Sequence, residues 1–391
     1  MNGADDALSA VRARWEPARA APGLEAAWRA LEADARSPFH AWAWVDNWLR
    51  TLPPGVDVQL FRADDDAGPL ALGLFGVRQE RGARRLFGDA SLWLQETGDR
   101  ALDEVTVEYM GLLTRPRAEA RAYRAFAASL ARERPRTRQV WISACEHAAL
   151  LAENLPRALD AYGFNHRASY FVDLDRLRAD GRAYVDALSA STRASMRRAA
   201  RAYAALGPLS AEVATDPAQA LAMLDELEAL HTAYWRSRGQ AGAFGSDYFR
   251  DFHRRLIAHH VPGGLPRLVR FKAGASTLGV AYYLRWRGRD FFYNSGFDYG
   301  LVARDARPGA VAHLLGVELS LGDGMNAYDF MAGDADYKRM FSTHAFDVCC
   351  VQLRRAGLRA RGERLAQRLL GRTPPVPLAE SAPGTAVRAV R

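Results

Sequence analysis

Tyr328-Asp329-Phe330-Met331-Ala332-Gly333-Asp334-Ala335-Asp336-Tyr337-Lys338-Arg339-Met340-Phe341 reads as a strand, a turn and a short helix. Strand alternation puts Asp329 on the face opposite Tyr328 and Phe330. Gly333-Asp334 turns the chain, and Asp334 or Asp336 is the expected N-cap of a helix over 336–341. Only two of the 53 basic residues are lysines, Lys272 and Lys338. Lysine is a compact point charge whose pKa shifts readily, and arginine is a permanently charged planar fork, so the two are not interchangeable. The pattern makes Asp329 a half-buried carboxylate near Lys338, suited to a structural ion pair or to serving an amine substrate.

Around this stretch the apolar spacing predicts alternating helices and strands. Upstream in the second half come a helix over 189–206, a strand over 209–214 and long helices over 217–238 and 247–259. An antiparallel meander over 267–272, 278–286 and 290–295 leads to a helix over 308–321, and a strand over 346–353 follows the quoted segment. The first half repeats the order: helical patterns over 23–50 broken at Ser37-Pro38-Phe39, then strands over 56–63, 70–79, 84–87 and 104–113. A helix over 117–132, a strand over 139–144, a helix running to Tyr162 and a strand over 169–174 complete it. The fold class expected is mixed α/β (α+β), with two mostly antiparallel sheets flanked by helices. The domain expectation is a flexible N-terminus over 1–22, domains over 23–178 and 179–354, and an Arg/Pro-rich tail over 355–391.

A hydrophobic content of 49% and a charged content of 25% are those of an ordinary globular protein. The net charge of +8 is local: Leu353 to Arg391 carries nine arginines against Glu363 and Glu380. The charge therefore marks a tail rather than a nucleic-acid groove. Proline-rich and poor in large apolar residues, the tail is expected to be largely disordered, with peripheral contact to an anionic membrane as one use. Cys145, Cys349 and Cys350 give neither a disulfide framework nor a metal spacing. The N-terminus has no apolar h-region, and no run approaches the roughly 18 apolar residues that span a bilayer. A cytoplasmic setting is expected.

Four segments carry chemistry. The strand end Tyr293-Asn294-Ser295-Gly296-Phe297-Asp298 leads to Arg304 and to Arg307-Pro308-Gly309-Ala310 at a helix start. Proline there is preorganised for the helix, glycine lets a ligand approach, and the exposed N–H groups favour an anion that the arginines would also bind. The quoted segment is the second. His231 and Trp235 share a helical face and read as core or pocket. Arg193, Arg197 and Arg201 form a stripe behind the Ser189/Ser191 cap, either solvated or meeting an anionic substrate. There is no His-x-x-x-His, Gly-x-Ser-x-Gly, phosphate-binding loop or strand followed by Gly-x-Gly-x-x-Gly, which removes metal, serine-hydrolase and dinucleotide readings.

The order of these motifs resembles the BioF2-like, or CelD-type, branch of the GNAT acyltransferases, related to the tandem-domain Fem peptidyltransferases. The likeness rests on Ser189-x-x-x-Arg193-x-x-x-Arg197-Arg198, His231-x-x-x-Trp235-x-x-x-Gly239, Tyr293-x-Ser-Gly-Phe-Asp298, Pro308-Gly309 and Tyr328-Asp-Phe-x-x-Gly-Asp-x-x-Tyr-Lys338. Ser37-Pro-Phe with Trp42, Trp44 and Trp48 adds to it, and it covers residues 30 to 352. It implies transfer of an acetyl or longer acyl group from acyl-CoA to an amine of a small molecule, glycan or lipid, in polysaccharide, lipid or cell-wall chemistry, without a metal. It places the diphosphate at Arg304, Arg307, Pro308, Gly309 and Ala310. Beside it, residue type suggests Asp329 as proton acceptor or amine orienter, Tyr337 as acid to the leaving thiolate and Lys338 as an anion partner. Arg193, His231, Trp235, Asn294, Ser295, Asp298 and Asp334 are the expected substrate contacts. Ala306 stands where simple GNAT enzymes carry Arg or Gln before the glycine. Aminoacyl-tRNA in the Fem manner is the alternative donor, and a non-catalytic accessory protein of exopolysaccharide assembly the alternative role; otherwise no nucleic acid is expected.

Overall fold

The computed structural model describes residues 11–79, 90–156, 158–302, 306–356, 376–381 and 386–390. In chain order its elements begin with β1 (Arg12–Pro17), α1 (Leu24–Glu32), α2 (Trp42–Thr51), β2 (Val58–Asp65), β3 (Gly68–Gln79), β4 (Ala90–Leu94), β5 (Leu113–Thr114), α3 (Glu119–Glu133), β6 (Thr137–Cys145) and α4 (Ala148–Glu153). They continue with β7 (Leu159–Asp173), α5 (Leu174–Ala179), α6 (Tyr184–Ala187), α7 (Ala190–Ala204), β8 (Leu209–Val213), α8 (Pro217–Arg236) and α9 (Asp247–His260). The last are β9 (Pro266–Ala273), β10 (Ser276–Trp286), β11 (Arg289–Phe297), α10 (Pro308–Gly322), β12 (Ala327–Ala332), α11 (Asp336–Phe341) and β13 (His344–Arg355). Contacts group the chain into two units, the first within 1–45, 52–167 and 347–385, the second within 46–51, 168–346 and 386–391. The expected mixed α/β class is what forms.

In the first unit the strand order is β1-β2-β3-β4-β6-β13, with β5 on β3. The pairs are antiparallel except β4 with β6. Its core is aromatic, with Trp15, Phe61, Phe75 and Phe126 in mutual ring contact. Cys145 and Cys349 are buried partners across β6 and β13, both as free thiols.

In the second unit the order is β7-β12-β11-β10-β9-β8, antiparallel except β11 with β12. Helices α6, α7, α10 and α11 bury Tyr184, Met196, Tyr203, Val311, Val317 and Phe341 in one core with Tyr283, Tyr328 and Phe330 of the sheet. Helix α8 packs on β10 and β11, and α9 lies against α8 and β9. Successive β10 residues face opposite sides of the sheet, Tyr282 against His253 of α9 and Tyr283 toward Gly316 of α10. No helix among the described residues is long and apolar enough to cross a membrane.

Several elements differ from the sequence expectation. Residues 12–17, expected to be flexible, pair with β2, anchored by Trp15 and by Arg14 bonded to Asp64. The alternation over 104–113 gives no strand before Leu113. Val105, Val107 and Tyr109 are buried there outside any strand, since alternation records which residues face inward and not a ladder. Helix α4 ends at Glu153, ahead of Pro156, and Leu159 to Tyr162 already belong to β7. In the tail, Leu378 is buried and Arg388–Ala389 pair with His344–Ala345. The expected strand over 84–87 and the arginines over 359–372 lie outside the described residues.

Candidate active site

The sheet of the second unit opens at one place. Strand β11 is held to β12 by Arg289↔Ala327, Asp290↔Tyr328 and Phe291↔Asp329, and the register ends there. Two irregularities coincide with the parting. On β11, Tyr282 and Tyr283 of β10 face Asn294 and Phe292, so Tyr293 is an extra residue, a β-bulge that bends the strand. On β12, the pairing with β7 shifts between Asp329 and Ala332, and Met331 adopts a left-handed φ of 64°.

Asp329 builds the second irregularity. Asp329 is fully buried rather than half-buried, at 0% exposed, and pairs with Arg289 at 2.8 Å. Its other oxygen accepts the Met331 N–H at 2.7 Å. Its acceptor capacity is engaged in holding the strand turned. Lys338 donates from Nζ to the carbonyls of Ala332 (2.7 Å) and Met331 (3.3 Å), tying α11 to the same turn. Gly333 completes the turn with φ of 138°, a conformation open to glycine. Neither aspartate caps α11: the N-cap is Ala335, while Asp334 and Asp336 are exposed.

Tyr337, on α11, lies flat on His313 of α10, with ring centroids 5.3 Å apart and 13° between planes. His313 Nδ1 is 2.9 Å from the Tyr328 hydroxyl, which is 3.1 Å from that of Tyr283. This buried chain was not legible in the sequence, because its members stand on three elements. Burial, with the Lys338 charge adding to it, pushes His313 down to about 3, so its imidazole is neutral. Burial raises the Tyr337 hydroxyl and keeps it protonated at neutral pH.

The start of α10 is where Pro308 and Gly309 predicted it. Arg307 is the N-cap residue, exposed and without a side-chain cap bond; Pro308 and Ala310 are buried. A side chain at Gly309 would begin 3.4 Å from the Phe297 ring, so glycine keeps this face of the first turn low. Tyr203 of α7 donates to the Ala306 carbonyl (3.0 Å) and fixes the approach to the helix. Arg304 lies outside the described residues. Arg193 and Arg197, on α7, both reach Asp186, at 3.4 and 3.3 Å, as partly exposed pairs.

At the far end of β11, Asn294 accepts from the Ser295 N–H (2.7 Å) and Asp298 from the Gly300 N–H (2.8 Å). Helix α8 crosses β11 at Gly296, where an added Cβ would stand 2.5 Å from the Leu227 carbonyl oxygen. That crossing brings His231 and Trp235 to the strand. Trp235 Nε1 donates to His231 Nε2 at 2.9 Å, and burial holds His231 down at about 4. The Nε2 lone pair is thereby occupied, so His231 is not a base in this geometry, and Nδ1 is buried without a hydrogen-bond partner among the described residues. Past α8, a cavity of about 450 Å³ is lined by Leu230, Tyr234, Arg238, Phe297, Asp298 and Tyr299, among others. Sequence reading took the aromatic stripe at 234–235 for core or pocket, and nothing local connected it with Tyr299.

Residues 190–339 match the family model described as an acetyltransferase (GNAT) domain. The crystal structure of FemX aligns over 82% of this chain and 92% of its own, with a TM-score of 0.54 at 10% identity. A conserved protein of unknown function from Bacteroides thetaiotaomicron aligns over 85% of this chain and 97% of its own, with a TM-score of 0.51 at 10% identity. The C-terminal domain of a protein described as a lysylphosphatidylglycerol synthetase, from Agrobacterium fabrum, aligns over 90% and 98%, with a TM-score of 0.50 at 13% identity. At these identities the likeness is one of fold. A comparison with curated proteins gives no match.

Proposed function

We propose that the second unit is an N-acyltransferase that takes its acyl group from acyl-CoA. The observation that carries this reading is the parting of β11 from β12 beyond Phe291 and Asp329, beside the open helix start at Pro308-Gly309. An extended, amide-containing pantetheine arm fits between parted strands as a strand itself would, and a diphosphate suits a helix N-terminus with Arg307 at hand. The neutral acceptor nitrogen attacks the thioester carbonyl carbon, the C–N bond forms, the C–S bond breaks, and the proton shed by the nitrogen passes to the leaving thiolate. In this reading the Tyr337 hydroxyl relays that proton, giving its own to the thiolate and regaining the one from the nitrogen. The protein's main work is to position the two reactants. Asp329 and Lys338 act through shape, holding the turn that parts the strands and presents Tyr337. Amines of small molecules or of polysaccharide, lipid or cell-wall intermediates are the acceptors that fit the motif resemblance. A cytoplasmic setting belongs to the same reading, supported by three free thiols.

Calorimetric titration with acetyl-CoA and longer acyl-CoA tests it. Gly309→Ala is expected to keep the affinity, because its Cβ meets only an ordinary contact. Gly309→Glu puts a carboxylate where the diphosphate belongs and should weaken binding by about ten-fold or more. No binding at any chain length would overturn the proposal. Steeply salt-dependent binding of charged tRNA that acyl-CoA does not displace would move the donor to tRNA.

A further inference from the structure

The cavity beyond α8 carries a charge pattern that the donor site does not use. Arg238 sits with its guanidinium 4.4 Å from the centroid of Tyr234. Tyr234 in turn stacks on Tyr299, 5.1 Å away and 27° from parallel. The three form a layered wall, with Tyr299 51% exposed at its face. Such stacking orders a guanidinium without consuming its hydrogen-bond donors. Among the described residues Arg238 makes no ion pair, and neither does Asp298. One Asp298 oxygen holds the Gly300 N–H; the other makes no hydrogen bond among the described residues. Two opposite charges therefore line one cavity of about 450 Å³ without neutralising each other, and that volume is in the range of small-molecule sites.

The two poles are oriented relative to the donor site. Asp298 follows Phe297, and the Phe297 ring is the neighbour of Gly309 at the start of α10. The negative pole is thus on the donor side, where an amine must be for transfer. Arg238, just beyond the C-terminal end of α8, forms the positive pole.

We infer that this cavity is the acceptor pocket and that it selects a zwitterion: an amino acid with an apolar or aromatic side chain, its ammonium on Asp298, its carboxylate on Arg238, its side chain along Phe297, Leu230 and Tyr299. The inference rests on the acyl-transfer reading for the fate of the amine, but the binding itself is separable from it.

Titration of the full chain with L-phenylalanine, phenethylamine and 3-phenylpropanoate, which keep one ring and remove one pole at a time, tests it. Phenylalanine should bind about ten-fold or more tighter than either truncated probe. Arg238→Gln should abolish the preference for phenylalanine over phenethylamine, and Asp298→Asn the preference over 3-phenylpropanoate, with unchanged melting temperatures. Equal affinity for the three probes, no binding of phenylalanine, or indifference to both substitutions would overturn the inference. Acetyl-CoA titrated alone separates the two readings. Phenylalanine binding without acetyl-CoA binding keeps the pocket and removes its proposed chemistry; acetyl-CoA binding without phenylalanine removes the pocket alone.

Discussion

The Tyr328 hydroxyl lies between the Tyr283 hydroxyl and His313 Nδ1, and all three side chains are buried. In a low-dielectric interior an unpaired polar atom is far more costly than a formed bond is favourable. Tyr328→Phe should therefore destabilise by about 1–3 kcal/mol in urea denaturation. The added loss on combining it with Tyr283→Phe should be smaller than for Tyr283→Phe alone, because the second change removes a group already orphaned. Equal and additive losses would show that the chain is not one network. The same interior explains why residue roles were only half legible. Asp329 and Lys338 stand out in the sequence, but the contacts they make, with Arg289 and with two main-chain carbonyls, depend on where β7, β11 and α11 meet the turn. No spacing in the sequence encodes that.

Elements were easier to read than their contacts. Pro308 and Gly309 announced α10, the helical spacing from Pro217 gave α8, and the apolar runs of β9 to β11 gave the meander, since each is a local preference. The segment over 104–113 misled because burial of alternate residues and strand pairing leave the same trace. Gly296 carried no signal for its contact with α8, although that contact sets where His231, Tyr234 and Arg238 stand. Gly296→Ala forces a Cβ to within 2.5 Å of the Leu227 carbonyl oxygen, so α8 must lift from β11. The expected outcome is a loss of about 1–3 kcal/mol in stability, read in chemical denaturation. Phenylalanine affinity should fall while acetyl-CoA affinity changes less. Unchanged stability would mean that α8 has slack at this crossing.

Across the molecule, burial lowers four imidazoles: His40 and His231 to about 4, His253 and His313 to about 3. The unfolded chain, with histidine at its ordinary value of 6.5, binds more protons than the native one in that window. Stability therefore falls as pH drops below 6.5. Glu96 works the other way, raised by burial from 4.5 to about 7, so the native state gains there on acidification. Asp103, Asp290 and Glu318 are also raised by burial and act in the same sense as Glu96. Set against them, the four histidines are expected to lower the urea midpoint on going from neutral pH to about pH 5. Glu96→Gln should steepen that loss; a midpoint flat over this range would mean that the imidazoles are not protonated on unfolding as the burial implies.

Phe297 has one further consequence. Its ring borders both the α10 start at Gly309 and the cavity of Arg238 and Asp298. A ring shared by two compartments is a mechanical element common to two equilibria. Any shift of that ring on filling one compartment changes the affinity of the other, and linkage makes the factor identical in both directions. The order in which the two reactants enter is then a thermodynamic property of one phenylalanine: cooperative if the first ligand moves the ring toward its seat for the second, and antagonistic if it moves the ring away.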